Sequence, residues 1–189
     1  MVLSLFVCML LSLTRWPGME IAGVGPNWLL IWVVAWSLKR SPQQGALAGF
    51  VLGMLQDGMT ALNPSHIVSL AIVGWLTAKL QKQRFLNEDF ISAAFVVFGM
   101  SVLAETVMAV QFSLMELQRP LVHGGPAWMQ YGPAIARIWQ SHQSVALSTA
   151  ILSSLWAPIL YLPLTRLWRF MEAAQQKRFL EMSFRSGRR

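Results

Sequence analysis

Charge is scarce in this sequence. Only 12% of the 189 residues are charged, about half the share that a soluble domain usually carries. Cysteine occurs once, as Cys8 within an apolar run, so an internal disulfide is excluded and the thiol is expected to be packing. The histidines, His66, His123 and His142, stand far apart in sequence. We therefore predict neither a disulfide-stabilised fold nor a zinc site.

Motifs for catalysis and cofactor binding are also missing. The sequence contains no phosphate-binding loop, no dinucleotide-binding fingerprint and no His-Glu-x-x-His pair. Asp57 and Glu105 would suit acid–base work as a carboxylate pair, but nothing near them resembles a nucleophile with its base. We expect no enzyme, no cofactor and no metal. A proton- or ion-coupled transporter is the better alternative, because carboxylates within a membrane are typical of proton relays.

Long apolar runs are what the sequence has instead. Hydrophobic residues make up 55% of the chain and fall into six runs, which predict an all-α, integral membrane bundle of six transmembrane helices. The runs cover residues 2–13, 21–38, 45–60, 66–80, 89–112 and 145–167. The first run has neither the basic start nor the cleavage site of a signal peptide, so it is expected to remain as a helix. Residues 1–170 are predicted to form one domain.

The second run is short for a membrane span. After Pro26 it supplies about 12 residues, or about 18 Å of helix, against a hydrocarbon core of about 30 Å. Either the residues before Gly25 add depth, or neighbouring helices shelter this one.

A polar stretch separates the last two runs. Residues 113–144 are predicted to be an extracytoplasmic loop. Five apolar or aromatic side chains recur in it at helical spacing: Trp128, Tyr131, Ile135, Ile138 and Trp139. They indicate either a helix on the membrane surface or an ordinary packed helix. Residues 171–189 are predicted to be a basic cytoplasmic tail.

The basic residues fix the predicted orientation. The net charge of +7 would suggest nucleic acid in a soluble protein, but these residues lie between and after the apolar runs, so we expect membrane lipid and no nucleic acid as the partner. Twelve of the fifteen Lys and Arg residues fall on one side if both termini are cytoplasmic, which satisfies the positive-inside rule. The other three are Arg15, Arg119 and Arg137.

A row of glycines marks the third run. Gly45, Gly49 and Gly53 are spaced by four, and the next such step reaches Asp57. Residues four apart share a helix face, so these glycines form a smooth ridge, named here the glycine ridge. Such a ridge lets another backbone approach closely inside a membrane. It packs either within this bundle or against a partner's span.

Four polar residues are predicted to lie at a similar level. Arg15 ends the first helix on its outer side, His66 begins the fourth, and Asp57 and Glu105 fall in the outer halves of the third and fifth. Ionisable groups within a span usually face the bundle interior and have partners. The four residues are therefore predicted to line a polar mouth that opens outward. In the alternative, each snorkels or bonds to backbone and hydroxyl groups separately.

The order of these features resembles the bacterial rod-shape-determining MreD family. Pro26-Asn27-Trp28 opens one helix, and a Gly-x-x-x-Gly-x-x-x-Asp helix ending at Asp57 follows a basic turn. A carboxylate, Glu105, interrupts the fifth run, and Trp156-Ala157-Pro158 precedes the basic tail. The likeness spans most of the chain and is densest in residues 26–80. Pro26, Asn27 and Trp28 are accordingly added to the glycine ridge as candidate packing or partner-interface residues.

The resemblance implies a role and a fold. It implies a non-enzymatic membrane subunit of the cell-elongation complex that binds MreC. Through MreC it would link cytoplasmic MreB filaments to peptidoglycan synthesis by RodA and a class B penicillin-binding transpeptidase. It also implies a fold similar to the six-helix substrate-binding subunits of energy-coupling-factor vitamin transporters. That fold keeps a small-molecule-binding subunit of a membrane transporter as the alternative.

Overall fold

Six α-helices make up the described part of the chain. The computed structural model describes residues 2–14, 20, 23–60, 64–82, 90–119 and 127–186. The helices are α1 (Val2–Leu13), α2 (Trp28–Ser37), α3 (Pro42–Met59), α4 (His66–Lys82), α5 (Phe90–Leu117) and α6 (Ala127–Ser186). These residues contain no β-strand, so the all-α prediction is confirmed.

Polar residues start the central helices. Ser41 caps α3 by accepting from Gln44 N–H at 3.4 Å, and the Gln44 side chain in turn accepts from Ser41 N–H. Pro42 follows at the first helical position, where its missing N–H has no cost. Asn27 caps α2 by accepting from Leu30 N–H at 3.0 Å. These caps set where two apolar helices begin.

Helix α2 is the centre of the bundle. Nine of its ten residues are buried, and it contacts each of the other five helices. At 1.5 Å per residue it is about 15 Å long, roughly half of a hydrocarbon core. Its neighbours shelter it, which is the second of the two explanations that its length allowed.

The helices around α2 present apolar side chains outward. Phe95 on α5 is 74% exposed and Leu155 on α6 is 66% exposed, and α1, α3 and α4 carry similar side chains, among them Phe6, Leu47 and Trp75. In water such a surface would drive association, whereas lipid tails solvate it. Two helical stretches, Ile91–Leu117 and Gln130–Leu164, are long and apolar enough to cross a membrane.

The last third of the chain is more helical than its composition suggests. Residues 113–117 continue α5, and residues 127–144 form the first part of α6 without a break before 145–167. Residues 118–119 are not helical, and residues 120–126 lie outside the described part of the chain. The predicted tail continues the same helix to Ser186, and its side chains are likewise outside the described part.

The physical reason is that the helical spacing between Trp128 and Trp139 runs on into the sixth apolar run. Pro133, Pro158 and Pro163 lie inside α6, and packed membrane helices tolerate proline where neighbours satisfy the freed carbonyls. The 60 residues of α6 correspond to about 90 Å, well beyond the thickness of a hydrocarbon core.

Candidate functional site

The glycine ridge faces α4. A methyl group added at Gly49 would overlap the Leu70 carbonyl and lie 2.8 Å from Ala71 Cα, and one added at Gly53 would overlap the Ile67 backbone. Gly45 meets Gly74 on α4, and a methyl group on Gly74 would in turn overlap the Gly45 backbone. The ridge therefore holds α3 and α4 at backbone contact, a distance that only glycine permits at these positions.

Asp57 continues the same face and fastens the start of α4. Its side chain is 4% exposed. One carboxylate oxygen, Oδ1, accepts from His66 N–H at 2.7 Å and lies 2.8 Å from His66 Nδ1, and the other, Oδ2, accepts from Ser65 Oγ–H at 2.7 Å. Since the first N–H groups of a helix have no partner within it, Asp57 satisfies one of them from a neighbouring helix.

This Ser-Asp-His contact is not a catalytic triad. In a triad the base contacts the nucleophile, and the carboxylate contacts only the base. Here Ser65 and His66 both bond to Asp57, and Ser65 Oγ also accepts from Ile67 N–H at 3.1 Å. The described residues also contain no group of three metal-binding side chains. The arrangement braces a helix start and provides no activated nucleophile.

Asn27 and Trp28 join α2 to α6. Asn27 N–H donates to Ser153 Oγ at 3.0 Å, across 126 residues of sequence. The Trp28 and Trp156 rings meet edge to face with centroids 5.7 Å apart. Pro26 lies in the wall of the cavity described below. The start of α2 is therefore an anchoring point for the last helix.

Glu105 has a partner that the sequence did not suggest. Its Oε2 lies 3.5 Å from His142 Nδ1 on α6, and each side chain is 18% exposed. The imidazole also contacts the Phe112 ring, with centroids 5.2 Å apart. The sequence gives no direct signal for this pair, because His142 lies in the polar stretch before the sixth apolar run.

Among the residues of the predicted polar mouth, Asp57 and His66 are in direct contact, and Glu105 pairs with His142. Arg15 lies outside the described residues.

Glu105 lies in the walls of two cavities. A polar cavity of about 320 Å³ lies among the ends of α1, α2 and α3, and its wall includes Asn27, Gln56, Thr149 and Glu105. A second, more apolar cavity of about 360 Å³ lies between α5 and α6, beside Trp139, His142 and Glu105. The described walls of both cavities leave out Asp57 and His66.

A buried central helix, surrounded by helices with apolar outer faces and internal polar pairs, defines an α-helical membrane protein. The match to known proteins is more specific. The family model described as rod shape-determining protein MreD matches residues 1–127, about two thirds of the chain, and the chain belongs to this family. The resemblance drawn from the sequence is thereby confirmed. No solved structure matches the chain. The protein is a rod-shape-determining membrane protein of the MreBCD shape system.

Proposed function

We propose that this chain is a non-enzymatic, six-span subunit of the rod complex in the bacterial cytoplasmic membrane. It binds MreC and helps couple MreB filaments to peptidoglycan synthesis by RodA and a class B penicillin-binding transpeptidase. The observation that carries the proposal is the family match over residues 1–127, which includes all of α1 to α5.

The partner contacts in this proposal lie on the outer faces of the helices. The glycine ridge is covered by α4, so its contribution to a complex is indirect: it gives the α3–α4 pair a fixed shape. The opposite face of α3 carries exposed apolar side chains, including Leu47 at 64% and Phe50 at 45% exposure. A single membrane helix of MreC would pack on such a surface through van der Waals contact.

Two cation–tryptophan contacts lie at helix ends that the proposed orientation assigns to the cytoplasm. Arg40 lies over the Trp36 ring at 5.5 Å, and Lys79 lies over the Trp75 ring at 4.8 Å. Tryptophan is enriched at membrane interfaces, and a cation over its ring is stabilised by the ring's quadrupole. Both pairs are on the side assigned to the cytoplasm, where each well-placed Lys or Arg gains about 1 kcal/mol from anionic lipid.

Photo-crosslinking in growing cells tests the assignment. A photoreactive residue is placed at exposed apolar positions on four helices: Phe50 on α3, Trp75 on α4, Phe95 on α5 and Ile159 on α6. Leu29, which is 1% exposed, is the buried control. MreC should be captured from one contiguous face and never from Leu29. Normal insertion of the variants without capture of MreC from any exposed position would contradict the proposal.

A second candidate function is a small-molecule-binding subunit with a fold like that of the vitamin-binding transporter subunits. The observation that favours it is the polar cavity of about 320 Å³ beside Glu105, a size within the range of ligand sites, which begins at about 300 Å³. A ligand of this cavity would raise the unfolding temperature of the purified protein. If no vitamin, ion or amine does so, this candidate fails while the rod-complex assignment stands.

A further inference from the structure

The two histidine–carboxylate contacts described above differ in kind. His66 Nδ1 lies 2.8 Å from Asp57 Oδ1, and the His66 backbone N–H donates to the same oxygen. His142 Nδ1 lies 3.5 Å from Glu105 Oε2, beyond the range of about 2.7–3.2 Å that is usual for N–H···O hydrogen bonds. The first contact is therefore a hydrogen bond, whereas the second depends on the charges of the two groups.

The Nδ1 atom of His142 is buried and has no hydrogen-bond partner among the described residues. A buried polar atom that is left unpaired costs free energy. Protonation offsets that cost, because the positive imidazolium is attracted to an ionised carboxylate, most strongly where water is largely excluded. The contact between α5 and α6 at this point is therefore favourable while His142 is protonated and Glu105 is ionised, and it is unfavourable once the imidazole is neutral.

Water and protons have access to the pair. Each of the two side chains is 18% exposed. Glu105 also lies in the wall of the polar cavity of about 320 Å³, a volume of roughly ten waters at about 30 Å³ per molecule. The second cavity, of about 360 Å³, lies beside both residues. Close packing therefore does not hold the two helices together around the pair, and α5 and α6 have room to shift there.

The charged surroundings of the pair are simple. Helix α2, which packs against both α5 and α6, contains no titratable residue. The other charged or titratable side chains around the pair, among the described residues, are Glu20 in the polar cavity wall, His66 of α4 with its partner Asp57 of α3, Glu116 farther along α5, and Arg137 farther along α6. Histidine is the side chain that ordinarily changes charge between about pH 5 and 8. The experiment must therefore separate His142 from His66.

We propose that Glu105 and His142 form a pH-sensitive clamp that holds α5 and α6 together when the imidazole is protonated and releases them when it is neutral. The stability that the clamp contributes is present at about pH 6 and is lost as the pH rises to about 8, because imidazole loses its proton over that interval. In the proposed orientation the pair lies toward the extracytoplasmic side, so the clamp responds to the pH outside the cytoplasm. The proposal does not depend on which partner the chain binds.

A double-mutant cycle on the purified full-length protein in detergent tests the clamp. Unfolding temperatures are measured at about pH 6 and about pH 8.5 for wild type, Glu105→Gln, His142→Gln and the double variant. The coupling between the two positions isolates this pair from other titrating groups. It should stabilise the protein by about 2–4 °C at the lower pH, the shift that an ion pair of moderate strength gives in a chain of this length, and should vanish at the higher pH. The same cycle in a His66→Gln background should give the same pH dependence.

A second measurement keeps both side chains of the clamp. Thr106→Cys and Gln143→Cys, in a Cys8→Ala background, place spin labels at two exposed positions in the wall of the second cavity, one on α5 and one on α6. The distribution of distances between the labels should be wider at the higher pH. If the variants of the cycle do not fold, this measurement decides. A coupling that is equal at the two pH values or larger at the higher one would overturn the proposal, as would a distance distribution that does not change with pH.

Discussion

His66 holds Asp57 with two separate groups, since its backbone N–H and its imidazole Nδ1 lie 2.7 and 2.8 Å from the same carboxylate oxygen. Asp57 is in the last turn of α3 and His66 is the first residue of α4. Ser65 Oγ caps α4 by accepting from Ile67 N–H, and the Asp57 carboxylate adds a second acceptor for the first N–H of the helix. Its negative charge also faces the positive end of that helix.

Removing the Asp57 carboxylate should weaken the α3–α4 connection. Asp57→Ala leaves two donors of His66 and one of Ser65 without an acceptor, and each buried unpaired group costs about 1–3 kcal/mol. Asp57→Asn keeps one acceptor oxygen and should lie between alanine and wild type. Denaturant unfolding of the purified protein would measure the free energy of unfolding. A value for Asp57→Ala equal to that of wild type would rule out the capping role.

The glycine ridge offers a matched comparison within a single helix. Gly49→Ala should destabilise the protein by about 1–3 kcal/mol, the usual cost of overpacking, because its methyl group meets the α4 backbone. Gly58→Ala is the control, because a methyl group there meets no atom within 4 Å. Alanine is the better helix former by about 1 kcal/mol, so Gly58→Ala should be neutral or stabilising. Equal unfolding temperatures for the two variants would contradict the inward-facing ridge.

Two adjacent serines on α6 allow the stability effect of a long-range hydrogen bond to be compared with that of a local one. Ser153→Ala removes the acceptor of Asn27 N–H and should cost about 1 kcal/mol or more. Ser154→Ala removes only a bond from Ser154 Oγ–H to the Ile151 carbonyl of the same helix and should change stability little. Thermal unfolding of both variants checks the prediction. A loss in Ser154→Ala as large as that in Ser153→Ala would show that the link between α2 and α6 is not the cause.

The proposed orientation can be tested with single cysteines. Cys8 is buried and is the chain's only cysteine, so Cys8→Ala gives a background free of thiols. Lys39→Cys should react with a membrane-impermeant maleimide only after the cells are permeabilised, whereas Arg119→Cys should react in intact cells. Both positions are exposed. Labelling of Lys39→Cys in intact cells would show that the orientation is reversed or that the number of spans is not six.

The sequence by itself determined that the chain is helical, which family it resembles and which residues are candidates for packing and polar contacts. Apolar runs bounded by Pro, Gly and basic residues are local signals, and they located α1, α3 and α4 closely because a helix forms from contacts within a few residues. The second run, 21–38, begins before α2, which starts at Trp28. The four-residue spacing from Gly45 to Asp57 also places these residues on one helix face without reference to any neighbour. In residues 113–144 the helical spacing from Trp128 to Trp139 predicted a helix, but the polar composition gave no sign that this helix continues without a break into the sixth apolar run.

Only the tertiary structure decided which faces meet. The ridge packs against Gly74, Asp57 pairs with His66, Glu105 pairs with His142, and Asn27 bonds to Ser153. These pairings depend on how each helix is rotated about its axis. In a membrane helix that is apolar on nearly all sides, the hydrophobic pattern does not specify that rotation. The rotation of each helix is specified by close backbone contact and by the need to satisfy each buried polar group. Both are properties of the assembled bundle.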